Sequence, residues 1–188
     1  KYDLLIQNDA DICVPPDYFE KVAGPLLQDS GVAFVTCLYR PVVSTLAAKF
    51  EGLGTVTDFA PSALVGRMIG VDDLAVGATM AFRRVDLDRI GGFRPIGDFL
   101  ADDFQLGLRL RGLGKRGEIS QAIVETELGG GWGDVWRHQL RWTRTLRVSN
   151  PPGYLGLAIT FTAFWALCAG ALGMYWIAAV AMMCRAVM

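Results

Sequence analysis

Two pairs of aspartates carry the clearest chemical potential in this sequence. Asp9 and Asp11 flank one alanine in Asn8-Asp9-Ala10-Asp11, directly behind the apolar run Tyr2 to Ile6. Carboxylates so spaced on a loop can share one Mg²⁺ or Mn²⁺, with diphosphate oxygens completing the oxygen shell. Solvated turns and helix caps use the same spacing, and it is the strand in front that favours a metal. Asp102 and Asp103 open the apolar stretch Leu100-Ala101-Asp102-Asp103-Phe104-Gln105-Leu106-Gly107. They can cap a helix, where the dipole favours them by ~0.3–1 kcal/mol. Alternatively, one of them takes a proton from an attacking hydroxyl. Adjacent carboxylates repel, which raises the pKa of one and suits it to that task.

A third group is basic and aromatic. In His138-Gln139-Leu140-Arg141-Trp142 the residues His138, Arg141 and Trp142 stand at i, i+3 and i+4, on one helix face. Arginine presents a planar set of donors matched to phosphate oxygens, and tryptophan a rigid stacking surface. A belt of Arg and Trp at lipid headgroups would also account for the stretch, including Arg144 and Arg147.

The elements that must position these groups alternate between strand and helix. Tyr2 to Ile6 reads as a buried strand that delivers Asp9 and Asp11 to its carboxyl end, where open α/β sheets bind ligands. Pro15-Pro16-Asp17 starts a helix with Phe19, Val22 and Leu26 on its apolar face. Gly31 to Cys37 is a second strand, Leu46 to Phe59 a helix, Gly77 to Phe82 a third strand, and Arg83 to Ile90 a short helix ended by Gly91-Gly92. Asp102 to Leu113 is helical, and Ala122 to Thr126 is a strand. Gly129-Gly130-Gly131 then makes a flexible link to a helix from Asp134 to Arg147. The alternation predicts an α/β domain with a mostly parallel sheet.

Composition divides the chain. The formal net charge of −1 over 188 residues leaves no footprint for a nucleic-acid partner. No acidic residue follows Asp134, whereas Arg137, Arg141, Arg144 and Arg147 crowd together, and Val148 to Cys184 carries no charge at all. That run exceeds the ~20 residues that cross a hydrocarbon core. We therefore expect a span from Tyr154 to Leu172, a break at Gly170 to Gly173, and a second span from Tyr175 that is cut short. The preceding cations fit the cytoplasmic side of such a span. Cys13, Cys37, Cys168 and Cys184 are scattered, and with one histidine they predict neither zinc site nor disulfide framework. The opening Lys1-Tyr2-Asp3-Leu4-Leu5-Ile6 reads as a strand already under way, so an N-terminal portion is expected to precede it.

Taken in order, these elements resemble the membrane-integrated inverting glycosyltransferases of GT-A fold. Within them the chain is similar to the ceramide glucosyltransferase family, including bacterial relatives associated with hopanoid synthesis. The resemblance rests on Asn8-Asp9-Ala10-Asp11, Val35-Thr36-Cys37-Leu38-Tyr39-Arg40, Gly77-Ala78-Thr79-Met80-Ala81-Phe82-Arg83-Arg84, Ala101 to Gly107 and His138 to Trp142. It implies the C-terminal part of an α/β GT-A domain over residues 1–133, a basic interfacial helix over 134–150, and one to two truncated transmembrane helices over 151–188.

The resemblance also implies roles. Asp9 and Asp11 match the site for Mg²⁺ or Mn²⁺ and diphosphate, Asp103 the catalytic base, and Arg141 and Trp142 the end of a Gln-x-x-Arg-Trp signature that binds diphosphate and shapes the acceptor site. The sequence departs at the first signature position, where His138 stands and Gln139 comes one residue late. His138, Gln139 and Asp102 are carried as donor or acceptor contacts. The implied partners are a nucleotide-sugar (UDP-glucose or UDP-N-acetylglucosamine), a lipid acceptor and the membrane, with a multi-pass chain and an active site on the cytoplasmic face. The nucleotide pocket is expected upstream, so residues 1–188 alone are expected not to turn over. A processive polysaccharide synthase is the alternative enzyme, and a membrane-anchored module without activity the alternative of another class.

Overall fold

A computed structural model describes residues 2–68, 70, 74–160 and 162–187. Five strands form one sheet: β1 (Leu4–Asn8), β2 (Ile12–Cys13), β3 (Val32–Val43), β4 (Thr79–Arg83) and β5 (Arg116–Leu128), in the order β1-β4-β3-β5-β2. The helices are α1 (Tyr18–Gln28), α2 (Leu46–Gly54), α3 (Ala60–Met68), α4 (Arg84–Arg89), α5 (Asp102–Arg111), α6 (Trp132–Ser149), α7 (Pro151–Thr160), α8 (Thr162–Ala171) and α9 (Tyr175–Val187).

The sheet is not mostly parallel, contrary to the expectation. Only β3 and β5 pair in parallel among the described strands, and β4 runs antiparallel to both β1 and β3. Alternating composition reports strands and helices but not their direction. The reversal has a consequence for the site. With Asn8 opposite Thr79 and Thr36 opposite Met80, the loop leading into β4 lies at the carboxyl end of β1, beside Asp9.

Both faces of the sheet are covered. On one, Tyr18, Val22 and Leu26 of α1 pack against Val35, Cys37, Ala81 and Val124. On the other, Leu106 and Leu110 of α5 and Leu87 of α4 pack against Phe34, Met80 and Phe82. The buried stripe of α1 begins at Tyr18, and Phe19, assigned to that stripe from sequence, is exposed. A register shift between Val32 and Phe34 lets Val32 and Val35 share a face despite their odd spacing.

Loop length fixes the shape of the site edge. β1 and β2 lie on opposite edges of the sheet yet are joined by Asp9-Ala10-Asp11. Four residues reach about 14 Å fully extended, less than the ~19 Å that four strand spacings cover in a flat sheet. The sheet therefore coils, and the acidic loop lies across its end.

Two expected elements differ in detail. Leu46 to Phe59 is helical throughout, but it is α-helical only to Gly54 and widens over Thr55–Phe59 into a π-helical turn that runs on into α3. Gly129 to Gly131 is a fixed turn rather than a flexible link. Thr45 Oγ1 donates to Gly130 O at 2.7 Å, and Gly131 N donates to Asp134 Oδ2 at 2.8 Å. The uncharged tail breaks where expected. Gly173 takes φ +78°, Met174 N bonds Ala169 O at 2.8 Å, and α9 starts at Tyr175. Among the described residues no helix is long and apolar enough to cross a membrane. Of the expected Tyr154 to Leu172 span, α7 and α8 cover the residues on either side of position 161, which lies outside the described residues.

Candidate active site

The acidic loop is anchored from within the core. Tyr18 is 1% exposed, its hydroxyl donates to Asn8 Oδ1 at 2.8 Å, and it lies 3.2 Å from Thr79 Oγ1. The residue before Asp9 is thus tied to both α1 and β4, while Asp9 and Asp11 remain at the surface. Partial burial pushes the Asp9 carboxyl up, Asp11 and Asp102 push it further, and Arg141 pulls it back. Asp11 makes a long contact of 3.5 Å with the Thr126 hydroxyl of β5. Among the described residues no group of three His, Cys, Asp or Glu is placed to hold a metal. The pair supplies hard carboxylate oxygens in mutual repulsion. This suits Mg²⁺ or Mn²⁺ only if other ligands, such as phosphate oxygens, complete the shell.

Asp103 is more tightly held. It sits in the first turn of α5, with Oδ2 accepting from Gly77 N at 2.9 Å and Oδ1 from Phe104 N at 2.7 Å. Gly77 belongs to the loop before β4, which Thr36 pins from the central strand. Thr36 Oγ1 donates to Thr79 O at 2.9 Å and accepts from Val76 N at 3.0 Å. A Cβ at Gly77 would come within 3.2 Å of Asp103 Oδ2, so glycine lets the backbone approach the carboxylate. At Gly107 a Cβ would lie 2.6 Å from that of Ala75, so glycine also seats α5 against this loop. Burial pushes the Asp103 carboxyl above its usual range, the two backbone N–H bonds oppose that, and Asp102 and Asp9 add to it. Helix capping alone does not describe a carboxylate that bridges to another loop. Asp102 is exposed and serves locally, accepting from Asp103 N at 3.0 Å.

The basic helix reaches this edge because of strand pairing. β3 and β5 run parallel as neighbours, so α2 and α6, which follow them, start side by side. Thr45 caps α2 by accepting from Ala48 N at 3.1 Å while its hydroxyl holds Gly130. Further along, Glu51 Oε1 of α2 accepts from His138 Nδ1 at 2.6 Å and from Gln139 Nε2 at 3.0 Å. Trp142 packs edge-on to Phe59 at 5.7 Å, and Phe59 packs on Tyr39 of β3 at 5.3 Å. The π-turn supplies Phe59 to this stack.

Asp11, Asp102, Asp103 and Arg141 therefore each fall within electrostatic reach of Asp9, and Asp102 also within that of Asp103. His138 and Gln139 point instead to Glu51, and Trp142 joins an aromatic stack. Sequence reasoning gave no role to Glu51, Tyr39, Phe59 or Gly77, although Tyr39 and Gly77 stand in two of the stretches that carry the resemblance. A lone acid within Leu46 to Gly54 was the available signal for Glu51, since a charge among apolar residues on a helix needs a partner. For Tyr39 and Gly77 the signal was their place in those stretches, and Phe59 had none beyond an ordinary apolar helix residue.

Comparison with known proteins places this geometry in context. The family model described as Glycosyl transferase family 21 matches residues 1–188. Ceramide glucosyltransferase 1 of Caenorhabditis elegans is 28% identical over 121 residues, which cover 64% of this chain and 26% of that protein. The matched region thus spans about a quarter of the relative's length.

Proposed function

The chain belongs to glycosyl transferase family 21, and from that premise we propose that the full-length protein moves a hexose from a nucleotide-sugar to a membrane lipid hydroxyl, with inversion at the anomeric carbon. The observation that carries the reading is Asp103. It is a half-buried carboxylate pinned by Gly77 and pushed up in pKa, beside the acidic loop whose Asp9 faces Arg141. A base must be held in place and poised above the ordinary carboxylate range; the backbone N–H of Gly77 holds Asp103, and burial raises it.

In this reading Asp103 takes the proton of the lipid hydroxyl as its oxygen attacks the anomeric carbon. The bond from that carbon to the diphosphate breaks in the same displacement. Arg141 offers fixed donors to the departing diphosphate, where charge accumulates. Asp9 and Asp11 would hold Mg²⁺ or Mn²⁺, which supplies charge neutralisation for the diphosphate when bound. Trp142, Phe59 and Tyr39 form an apolar wall suited to a lipid acceptor of ceramide or hopanoid type. The uncharged run from Val148 to Cys184 supports a membrane location, with the site on the cytoplasmic face.

Membranes carrying the full-length protein, supplied with nucleotide-sugars and analysed by mass spectrometry of extracted lipids, test this directly. A monohexosylated lipid that disappears with exhaustive EDTA and returns with Mg²⁺ or Mn²⁺ is the expected result. A polymeric product would move the reading to a polysaccharide synthase. Undiminished transfer under chelation would remove the divalent ion from it.

A further inference from the structure

Glu51 is a buried acid, with its side chain 6% exposed, in a nine-residue helix that otherwise carries one charge, Lys49. Burial of a carboxylate is costly unless donors meet it. Two side chains do, and both come from α6: His138 Nδ1 at 2.6 Å and Gln139 Nε2 at 3.0 Å on the same oxygen. A third neighbour is Tyr39, whose phenol is pushed up first by burial and then by the Glu51 and Asp9 carboxylates. Glu51 and the acidic loop thus face Tyr39 together.

Adjacent residues on a helix point about 100° apart, so one acceptor gripping both 138 and 139 fixes rotation about the axis as well as distance. Arg141 and Trp142 follow within one turn, and their direction is set by that rotation. The rest of the α6 anchorage lies elsewhere: Asp134 closes the first turn, and Trp142 rests on Phe59. The helix is otherwise largely exposed from Trp132 to Ser149, with Val135 its one buried residue. Its other holds against rolling are ring contacts, Trp132 on Phe50 of α2 at 5.6 Å and Trp142 on Phe59, while Glu51 supplies the charged grip.

We infer that Glu51 is a positioning residue that clamps His138 and Gln139 and thereby aims Arg141 at the acidic loop and Trp142 at Phe59. This rests on the reading of Arg141 as a diphosphate contact. It also gives the departure from the Gln-x-x-Arg-Trp pattern a physical sense. His138 and the displaced Gln139 serve as two halves of one grip on α2.

The test uses the full-length protein in membranes and a double-mutant cycle. Arg141→Ala, Glu51→Ala and the double variant are compared for kcat/KM of hexose transfer. Small misplacements of a charge-stabilising group can cost up to ~10²-fold, so Glu51→Ala alone is expected to lower kcat/KM by roughly that order. With Arg141 already removed, the same change should cost less than about threefold, because residues acting as a unit are not additive. Glu51→Gln keeps an acceptor oxygen and should recover most of the loss, and it serves where alanine impairs folding. Hydrogen exchange over α6 is the arm independent of turnover. Faster exchange at residues 138–146 in Glu51→Ala, with the sheet protected as in wild type, is expected. Equal losses in both backgrounds, or unchanged exchange along α6, would overturn the inference. Transfer indifferent to Arg141→Ala would instead count against the proposed function, while exchange still decides whether Glu51 holds the helix.

Discussion

Asp86 and Asp103 each sit in the first turn of a helix and are shielded from water, yet their surroundings are opposite. Asp86 is fully buried and met by cations. Lys115 Nζ lies at 2.5 Å, and guanidinium nitrogens of Arg83 and Arg89 each lie at 3.6 Å. Arg83 also donates to the carbonyls of Val32, Leu26 and Asp29, tying the end of α1 to the start of β3. Asp103 has no such company. Its donors are two backbone N–H groups, and the charges that reach it are those of Asp102 and Asp9. A carboxylate ringed by cations fastens elements together. One ringed by like charge and fixed by backbone is, in the function proposed above, kept available for a proton.

The comparison breaks first at Asp103. In the full-length enzyme Asp103→Asn is expected to lower transfer by ~10²–10⁴-fold, the usual worth of a positioned base. Donor affinity by calorimetry should stay close to wild type, because the diphosphate contacts are elsewhere. The melting temperature should fall only moderately, since the single amide oxygen keeps one of the two bonds from Gly77 and Phe104 and loses the other. Transfer at wild-type rate would reduce Asp103 to a helix cap.

At Asp86 the expected loss is of the fold rather than of chemistry. Asp86→Ala leaves Lys115 and Arg83 without their shared partner in a buried site. Breaking such a pair from one side costs about 3–5 kcal/mol. Denaturant titration should read this, while any protein that remains folded should turn over with nearly unchanged kcat. A comparable kcat loss with intact stability would mean that the two carboxylates had been assigned the wrong way round.

The sequence made Asp9, Asp11 and Asp103 legible because each stands at the junction of an apolar run with a polar one. That junction is where a strand or helix must surface. Strand direction was not legible. Thr79–Arg83 reads the same either way, and only its pairing to both β1 and β3 shows that it runs backwards and brings Gly77 to Asp103. The grip of Glu51 on His138 and Gln139 joins residues 87 and 88 positions apart, which no local pattern encodes. Phe59 was expected at the end of a regular helix. A π-turn there sets Phe59 between Trp142 and Tyr39, a feature that helical periodicity does not announce.

The smallest expected effect concerns Asp102, and it sharpens the contrast by removing part of the like charge. Asp103 is pushed up chiefly by burial, with Asp102 and then Asp9 as lesser contributors. A base must be unprotonated to act, so the acid limb of kcat/KM should lie above the ordinary carboxylate range. Asp102→Asn deletes one of the charges that raise it. The pKa of Asp103 should therefore fall, and activity should persist to lower pH than in wild type. The side-chain oxygen that accepts from Asp103 N is retained in the amide, so the first turn of α5 should keep its geometry. Stability has the matching sign. A carboxyl with a raised folded pKa favours the fold below its unfolded pKa, and that contribution is lost as pH rises through the folded value. Easing the repulsion should make the variant lose less stability than wild type over that interval. Rate profiles of both proteins at saturating divalent ion, with melting curves over the same pH range, measure the two effects together. An acid limb that moved upward, or vanished with the rate, would hand the role of base to Asp102.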